Sequence, residues 1–166
     1  MRRASLEEMN CSLAQSLEIV GEWWSLMIVR DAFFGVTRFD EFQERLGIAR
    51  NTLTARLETL VDGGVLERQV YDEGRGRADY VLTDMGKALW PVLTALRQWG
   101  DEWVLGADAA PLVAVHRDCG AQTTASMVCG DCGEPLDERN LRLRPGPGAD
   151  ESIIGSLRPK TGPKAR

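Results

Sequence analysis

The chain has 166 residues, and its only histidine and three of its four cysteines fall close together. His116 and Cys119 form H-x2-C-G, Cys129 and Cys132 form C-x2-C-G, and nine residues lie between Cys119 and Cys129. Two donors three positions apart on a tight turn can hold one ion, and a glycine after the second permits a backbone that turns amides toward sulfur. His116, Cys119, Cys129 and Cys132 would together close a tetrahedral Cys3His site for Zn2+. Four protein ligands leave no open position for substrate, so the expected role is structural. Two other readings stand beside it: four unligated residues in a loose tail, or a redox pair at Cys129 and Cys132. No thioredoxin-like βαβ pattern surrounds that pair. A zinc deaminase would want H-x-E and P-C-x-x-C, whereas Arg117-Asp118 follow His116 and Met127-Val128 precede Cys129. No enzyme is expected.

The fourth cysteine, Cys11, lies far from this cluster. It precedes Ser12, which with Gln15 has the spacing of a capping box. The positive end of a helix there would lower its thiol pKa; the plainer alternative is a small buried hydrophobe.

The elements that must position these residues are legible from periodicity. "SLAQSLEIV" carries Leu17 and Val20 at helical intervals, closed by Gly21. "WWSLMIVRDAFF" (23–34) is apolar almost all round, which marks a helix central to a core and places Trp23 and Trp24 inside it. "RFDEFQERLG" puts Phe39, Phe42 and Leu46 on one face before the stop at Gly47. "ARNTLTARLETLVDGG" buries Leu53, Leu57 and Leu60 and ends at Gly63-Gly64. Then the period changes. "VLERQVY" and "ADYVLT" are strand candidates around the charged "DEGRGR". Two helices joined by a tight turn, followed by a hairpin, have the order of a winged helix-turn-helix. After Thr83 a helical pattern returns, with Met85, Leu89, Val92, Leu96, Trp99 and Trp103 alternating by four and three as a coiled-coil-like seam. Pro91 should either kink this helix or set its start later. In the cluster, "TTASMV" and "NLRLR" are short strand candidates.

The expected fold class is therefore mainly α (α+β): a winged helix-turn-helix, a long C-terminal dimerisation helix and a small zinc-ribbon-like appendage. The expected divisions are 1–108 for the DNA-binding and dimerisation domain, 109–145 for the appendage and 146–166 for a basic tail. Net charge is −5, which argues against a diffuse cationic coat but leaves local basic placement free to act. No apolar run of membrane-spanning length occurs, and "MRRASLEEMNCSL" lacks an apolar signal core. A cytoplasmic setting is expected, and in a reducing compartment clustered Cys and His favour metal ligation over disulfides.

From Cys11 to about Trp103 the chain resembles HxlR-type winged-helix transcriptional regulators, a MarR-like group. The resemblance is carried by the lone N-terminal cysteine, "GEWWSLMIVRD", "RFDEF", "NTLTARL", "GVLER" and "YVLTDMG". Ser12 and Arg50 stand where such proteins often have proline. The resemblance implies homodimers that bind pseudo-palindromic double-stranded DNA and regulate nearby genes, and a use for Cys11 as a thiol switch toward oxidants or electrophiles. It does not require the C-terminal cluster.

In this architecture the N-terminal part of the second helix of the pair enters the major groove. Burying the leucine stripe leaves Asn51, Thr54, Ala55 and Glu58 outward, with Thr52 and Arg56 on the flanks. Arg50 and Asn51 are the best base readers, because arginine suits guanine and asparagine suits adenine. Thr52, Thr54 and Arg56 suit phosphates or thymine methyls. Arg75 and Arg77 at the hairpin tip would reach flanking backbone or minor groove, and Arg38 is a further phosphate candidate. Leu89, Val92, Leu96, Trp99 and Trp103 would form the dimer interface, since one small domain cannot cover so long an apolar face. A helix folded back on its own core is the alternative there. At the level of function, a zinc-stapled protein-interaction module without sequence-specific DNA binding remains the competing expectation. A small-molecule or redox effector is compatible with the chain, but no residue pattern identifies one.

Overall fold

The computed structural model describes residues 6–72, 74 and 76–156. They fall into two units, one spanning residues 19–125 and the other joining the N-terminal residues up to 18 with those from 126 onward. This division does not coincide with the boundaries expected at 108/109 and 145/146. The architecture is the expected α+β winged helix-turn-helix.

In chain order the first elements are α1 (Ser12–Val20), α2 (Trp23–Phe33), α3 (Phe39–Leu46) and α4 (Arg50–Asp62). The core gathers Ile28 and Val29 of α2, Phe42 of α3, and Leu53, Leu57 and Leu60 of α4, all fully buried. The leucines of α4 recur by four and three, so they line one stripe and leave the opposite face free. Between α3 and α4 the chain turns sharply because Gly47 adopts φ 63°, a left-handed cap that costs other residues a Cβ clash.

Trp23 departs from expectation. It is 76% exposed, and only Trp24 of the pair packs against the core. Inside the core sits an unexpected acid instead. Asp31 is fully buried, 2.7 Å from the Arg30 guanidinium and 3.4 Å from Arg45 Nε of α3. A buried carboxylate is tolerable only with such partners, and here the pairing ties α2 to α3.

The wing consists of β1 (Leu66–Asp72) and β2 (Arg77–Leu82), paired antiparallel from Leu66↔Leu82 to Val70↔Ala78. The chain just before α3 joins as a third edge: Arg38 bridges Asp79, the Tyr80 N–H donates to Thr37 O at 2.8 Å, and the Thr37 hydroxyl donates to Asp79 Oδ1 at 3.0 Å. The wing is thus fixed to the start of the helix pair. At its base the Thr83 hydroxyl donates to Gly64 O and accepts from the Gly86 N–H, capping α5 (Asp84–Lys87). A Cβ on Gly86 would stand 2.2 Å from Val65 O, so no larger residue fits without moving the backbone.

Helix α6 (Trp90–Gly100) starts with Pro91 in its first turn. Proline there has no N–H to lose, and of the two readings for Pro91 the later start is the one adopted. A π-helical turn, Asp101–Leu105, follows. Beyond it β3 (Ala114–Val115) pairs antiparallel with β4 (Gln122–Thr123). This hairpin is anchored to α6: the Gln98 side chain donates to Ala125 O at 2.9 Å and accepts from Ala125 N at 2.7 Å, and Arg97 donates to Leu112 O at 3.2 Å.

In the other unit Val128 bridges Pro135, and α7 (Glu151–Ser156) is capped by Asp150. Hydrogen bonds from the Ser152 hydroxyl, the Asn10 side chain and the Ile153 amide hold the Asp150 carboxyl down at about 2. "TTASMV" supplies only Thr123 to a strand and Val128 to a single bridge, and "NLRLR" forms no strand. Alternation alone gave that segment no partner to pair with.

Candidate nucleic-acid interface

The outer face of α4 carries the expected residues. Asn51, Thr54, Ala55 and Glu58 are exposed, Thr52 and Arg56 are half-buried on the flanks, and Arg50 opens the helix. A shallow groove runs along Arg50, Asn51, Thr54, Ala55 and Glu58. The first turn of α4 has no acidic residue, and no side chain caps it from the preceding Ala49. Apart from the Thr52 N–H, which Asn51 Oδ1 accepts, the first-turn amides have no side-chain partner from the cap, so positive potential remains at the end that would meet DNA.

The prospective base readers are engaged in weak local contacts. The Arg50 guanidinium lies over the Phe39 ring, 4.7 Å from its centroid, and 3.9 Å from Asp40. Asn51 Oδ1 accepts from the Thr52 N–H at 2.9 Å, and the Thr54 hydroxyl donates back to Arg50 O at 3.0 Å. Ion pairs as exposed as Arg50–Asp40 contribute about 0–1 kcal/mol, so an incoming base or phosphate can displace them at little cost. No pattern of spacing announces the Arg50–Phe39 contact, which forms only when the turn folds α4 back on α3.

Arg38 stands beside the wing, 5.9 Å from the Tyr71 ring centroid and 4.0 Å from Asp79. Arg77 is exposed at the start of β2. Arg75 lies outside the described residues. Asp31 is the positioning residue that sequence reasoning missed. Its signal was partial: an acid inside an otherwise apolar helix needs a cationic partner, but spacing does not show that Arg45 of α3 supplies it.

The apolar face expected at the dimer interface is exposed over most of its length. Val92 (54%), Leu96 (49%), Trp99 (56%) and Trp103 (70%) face outward, with Trp90, Val104 and Leu105 extending the strip. Leu89 does not belong to it. Its side chain packs against the chain's own core, together with Leu93, because the later start of α6 rotates it inward.

Cys11 immediately precedes α1, and its carbonyl accepts the Gln15 N–H at 3.0 Å. The capping box does not form: the Gln15 side chain donates to Glu7 O and Met9 O instead. Cys11 is half-buried and its thiol is free.

The Cys/His residues form two separate turns. His116 Nδ1 is 3.2 Å from Cys119 Sγ. At Cys129 the amides of Cys132 and Asp131 and the Cys132 thiol hydrogen-bond the sulfur, holding its pKa below the ordinary cysteine range. Among the described residues no three His, Cys, Asp or Glu side chains stand together as a ready metal site. No described helix is long and apolar enough to cross a membrane.

Comparison with known proteins places this arrangement. The HxlR-like helix-turn-helix family matches residues 19–107. An uncharacterized HTH-type transcriptional regulator of Mycobacterium tuberculosis is 39% identical over 145 residues, covering 87% of this chain and 92% of the relative. The crystal structure of PA1607, a candidate transcription factor, superposes with a TM-score of 0.75 at 41% identity, covering 85% of this chain and 99% of that one. The redox regulator HypR in its reduced form gives 0.51 at 27% identity, covering 55% of this chain and 91% of its own. The first two matches are too long to end where the family match ends, so similarity continues into the C-terminal segment. From the helix pair to the wing, the chain belongs to the HxlR-like helix-turn-helix family of transcriptional regulators.

Proposed function

We propose that the protein acts in the cytoplasm as a homodimer that binds a pseudo-palindromic operator sequence-specifically and controls transcription of nearby genes. The observation that carries this reading is the outward face of α4, with Arg50 and Asn51 in its first turn. Arg50 and Asn51 read base edges; Thr52, Thr54 and Arg56 contact phosphates or thymine methyls. Arg38, beside the wing, and Arg77, at the start of β2, bind phosphate, and Arg75, outside the described residues, is assigned the same role from the sequence. The exposed strip of α6 and the turn after it would join two copies, and two half-sites roughly 34–36 Å apart require such a two-fold pair.

Selection of bound sequences from genomic fragments, followed by footprinting at moderate salt, tests this. Arg50→Ala and Asn51→Ala should each cost about 1–3 kcal/mol at one base position and relax preference there. Arg77→Ala should weaken all sequences alike and lower the salt slope by about 1. A wild-type protein that protects no preferred sequence would leave the protein-interaction module as the better account.

Cys11 is the proposed redox-sensing residue of the regulator. Its place at the start of α1, and the likeness to a redox regulator, support that role. Diamide or quinone should shift operator affinity of the wild type, and Cys11→Ser should remove the response while keeping reduced-state binding. An equal response in Cys11→Ser would move sensing to another thiol.

A further inference from the structure

Arg38 and Arg50 both lie over aromatic rings, but they are not held alike. Arg38 stands 5.9 Å from the Tyr71 ring centroid, at the outer limit of a cation–π contact. Tyr71 is itself 52% exposed on the wing, so half of that platform meets solvent. Arg50 stands closer to its ring, 4.7 Å from the Phe39 centroid. Phe39 is half-buried at the first position of α3 and packs against the core. The same helix buries Phe42 completely and reaches the buried Asp31 through Arg45 at 3.4 Å. The ring under Arg50 is therefore held from the core side, while the Arg50 side chain above it keeps 73% of its surface exposed.

This contact leaves the guanidinium able to read a base. An aromatic face attracts a cation through its quadrupole and so occupies none of the N–H donors that arginine offers to acceptors. Asp40 Oδ1 stands 3.9 Å from Arg50 Nη1, beyond hydrogen-bond distance, and leaves the donors uncommitted as well. The backbone beneath is also fixed: Arg50 opens α4, and its carbonyl accepts the Thr54 hydroxyl at 3.0 Å. That is the end at which such a helix enters the major groove. A long side chain loses rotamer freedom when it docks, and one already resting on a ring has lost part of it beforehand.

We infer that Phe39 is a positioning residue for base recognition: its ring holds the Arg50 guanidinium so that the N–H fork meets the O6 and N7 edge of a guanine. The inference rests on the DNA-binding reading above and deepens it. Asp40 favours a base over the backbone at this point. Its carboxylate, 92% exposed, repels a phosphate approaching Arg50, whereas guanine presents two uncharged acceptors.

The test is competition, on the full-length protein, between its selected operator and the same operator with one base pair replaced. Arg50→Ala identifies the position, because preference should relax there alone. Phe39→Leu keeps an apolar side chain for the core but removes the ring. It should lower the preference for guanine at that position about five- to tenfold and leave the other positions unchanged. Phe39→Tyr should retain the preference, and in the Arg50→Ala background Phe39→Leu should alter base preference no further. Competition reports a ratio between sequences, which loss of folded protein does not move. Phe39→Met carries the same test if the leucine variant does not fold. A loss spread evenly over all sequences would make Phe39 merely structural and overturn the inference. Full guanine preference in Phe39→Leu overturns it too, as does a base other than guanine at the position Arg50 reads. In each of these cases the wild type still selects its operator, so the DNA-binding reading stands. A wild type with no preferred sequence overturns both.

Discussion

Phe42→Ala should destabilise the protein by about 3–5 kcal/mol, a large share of the roughly 5–15 kcal/mol available to a domain of this size. Phe42 is fully buried at the middle of α3 and belongs to the cluster that includes Leu53, Leu57 and Leu60 of α4. Truncation loses transfer energy and leaves a cavity that the helix pair cannot close without shifting α4, the helix proposed to read DNA. Operator binding should fall with stability. Trp23→Ala is the informative contrast, because Trp23 is the larger residue but 76% exposed. In a monomeric background it should change stability by no more than about 0.5 kcal/mol. Urea unfolding at constant m separates the two. Similar losses for both would mean that Trp23 is buried after all.

That contrast also marks where sequence reasoning reaches its limit. The leucines of α4 are legible because polar residues between them declare which face is outside, and the flanking positions of Thr52 and Arg56 follow from the same arithmetic. "WWSLMIVRDAFF" offers no polar face, so periodicity reveals a buried helix without saying which of its side chains escapes burial. Trp23, at the first turn, is the one that does. Asp31 is the converse case: its burial depends on Arg45, fourteen residues on and across a turn, and spacing cannot show which cation reaches it. The wing was readable as two strands, since alternation and the glycines of "DEGRGR" coincide. Its third edge at Thr37–Arg38 was not, because one bridge leaves no alternation. The donor spacing of the C-terminal turns was plain in the residues. Their hydrogen bonds appear only in the structure.

Asp31 matters to the interface beyond stability. Arg30 and Arg45 keep 41% and 51% of their side-chain surface exposed, so each reaches solvent while holding a carboxylate that does not. The pairing fixes α3 on α2, and α3 in turn presents Phe39 to Arg50 and Arg38 to the wing. Arg38 and the face of α4 proposed to read bases are therefore both held by α3. Geometry of this kind suits a protein that must meet a groove and its flanking backbone together, since misalignment of either edge would forfeit contacts on the other.

Leu96→Glu combined with Trp99→Glu should convert the protein to a monomer and weaken binding to a two-half-site operator by about 10²–10⁴-fold. Both side chains lie on the exposed strip of α6, with Val92 and Trp103 alongside. Across a two-fold axis each new carboxylate meets an apolar patch or another carboxylate, so association loses its hydrophobic term and gains repulsion. The fold itself should survive, because neither residue belongs to the core, whereas Leu89→Glu on the same stretch of chain should unfold the protein by charging a side chain packed against that core. Sedimentation would report the mass, and titration of full and half operators would report affinity. Binding to a single half-site should be little changed, since the α4 face remains intact; this outcome separates loss of pairing from loss of reading. If the double variant sediments as a dimer and keeps full operator affinity, the α6 strip is not the surface that joins the two copies, and the half-sites must be bridged through another face.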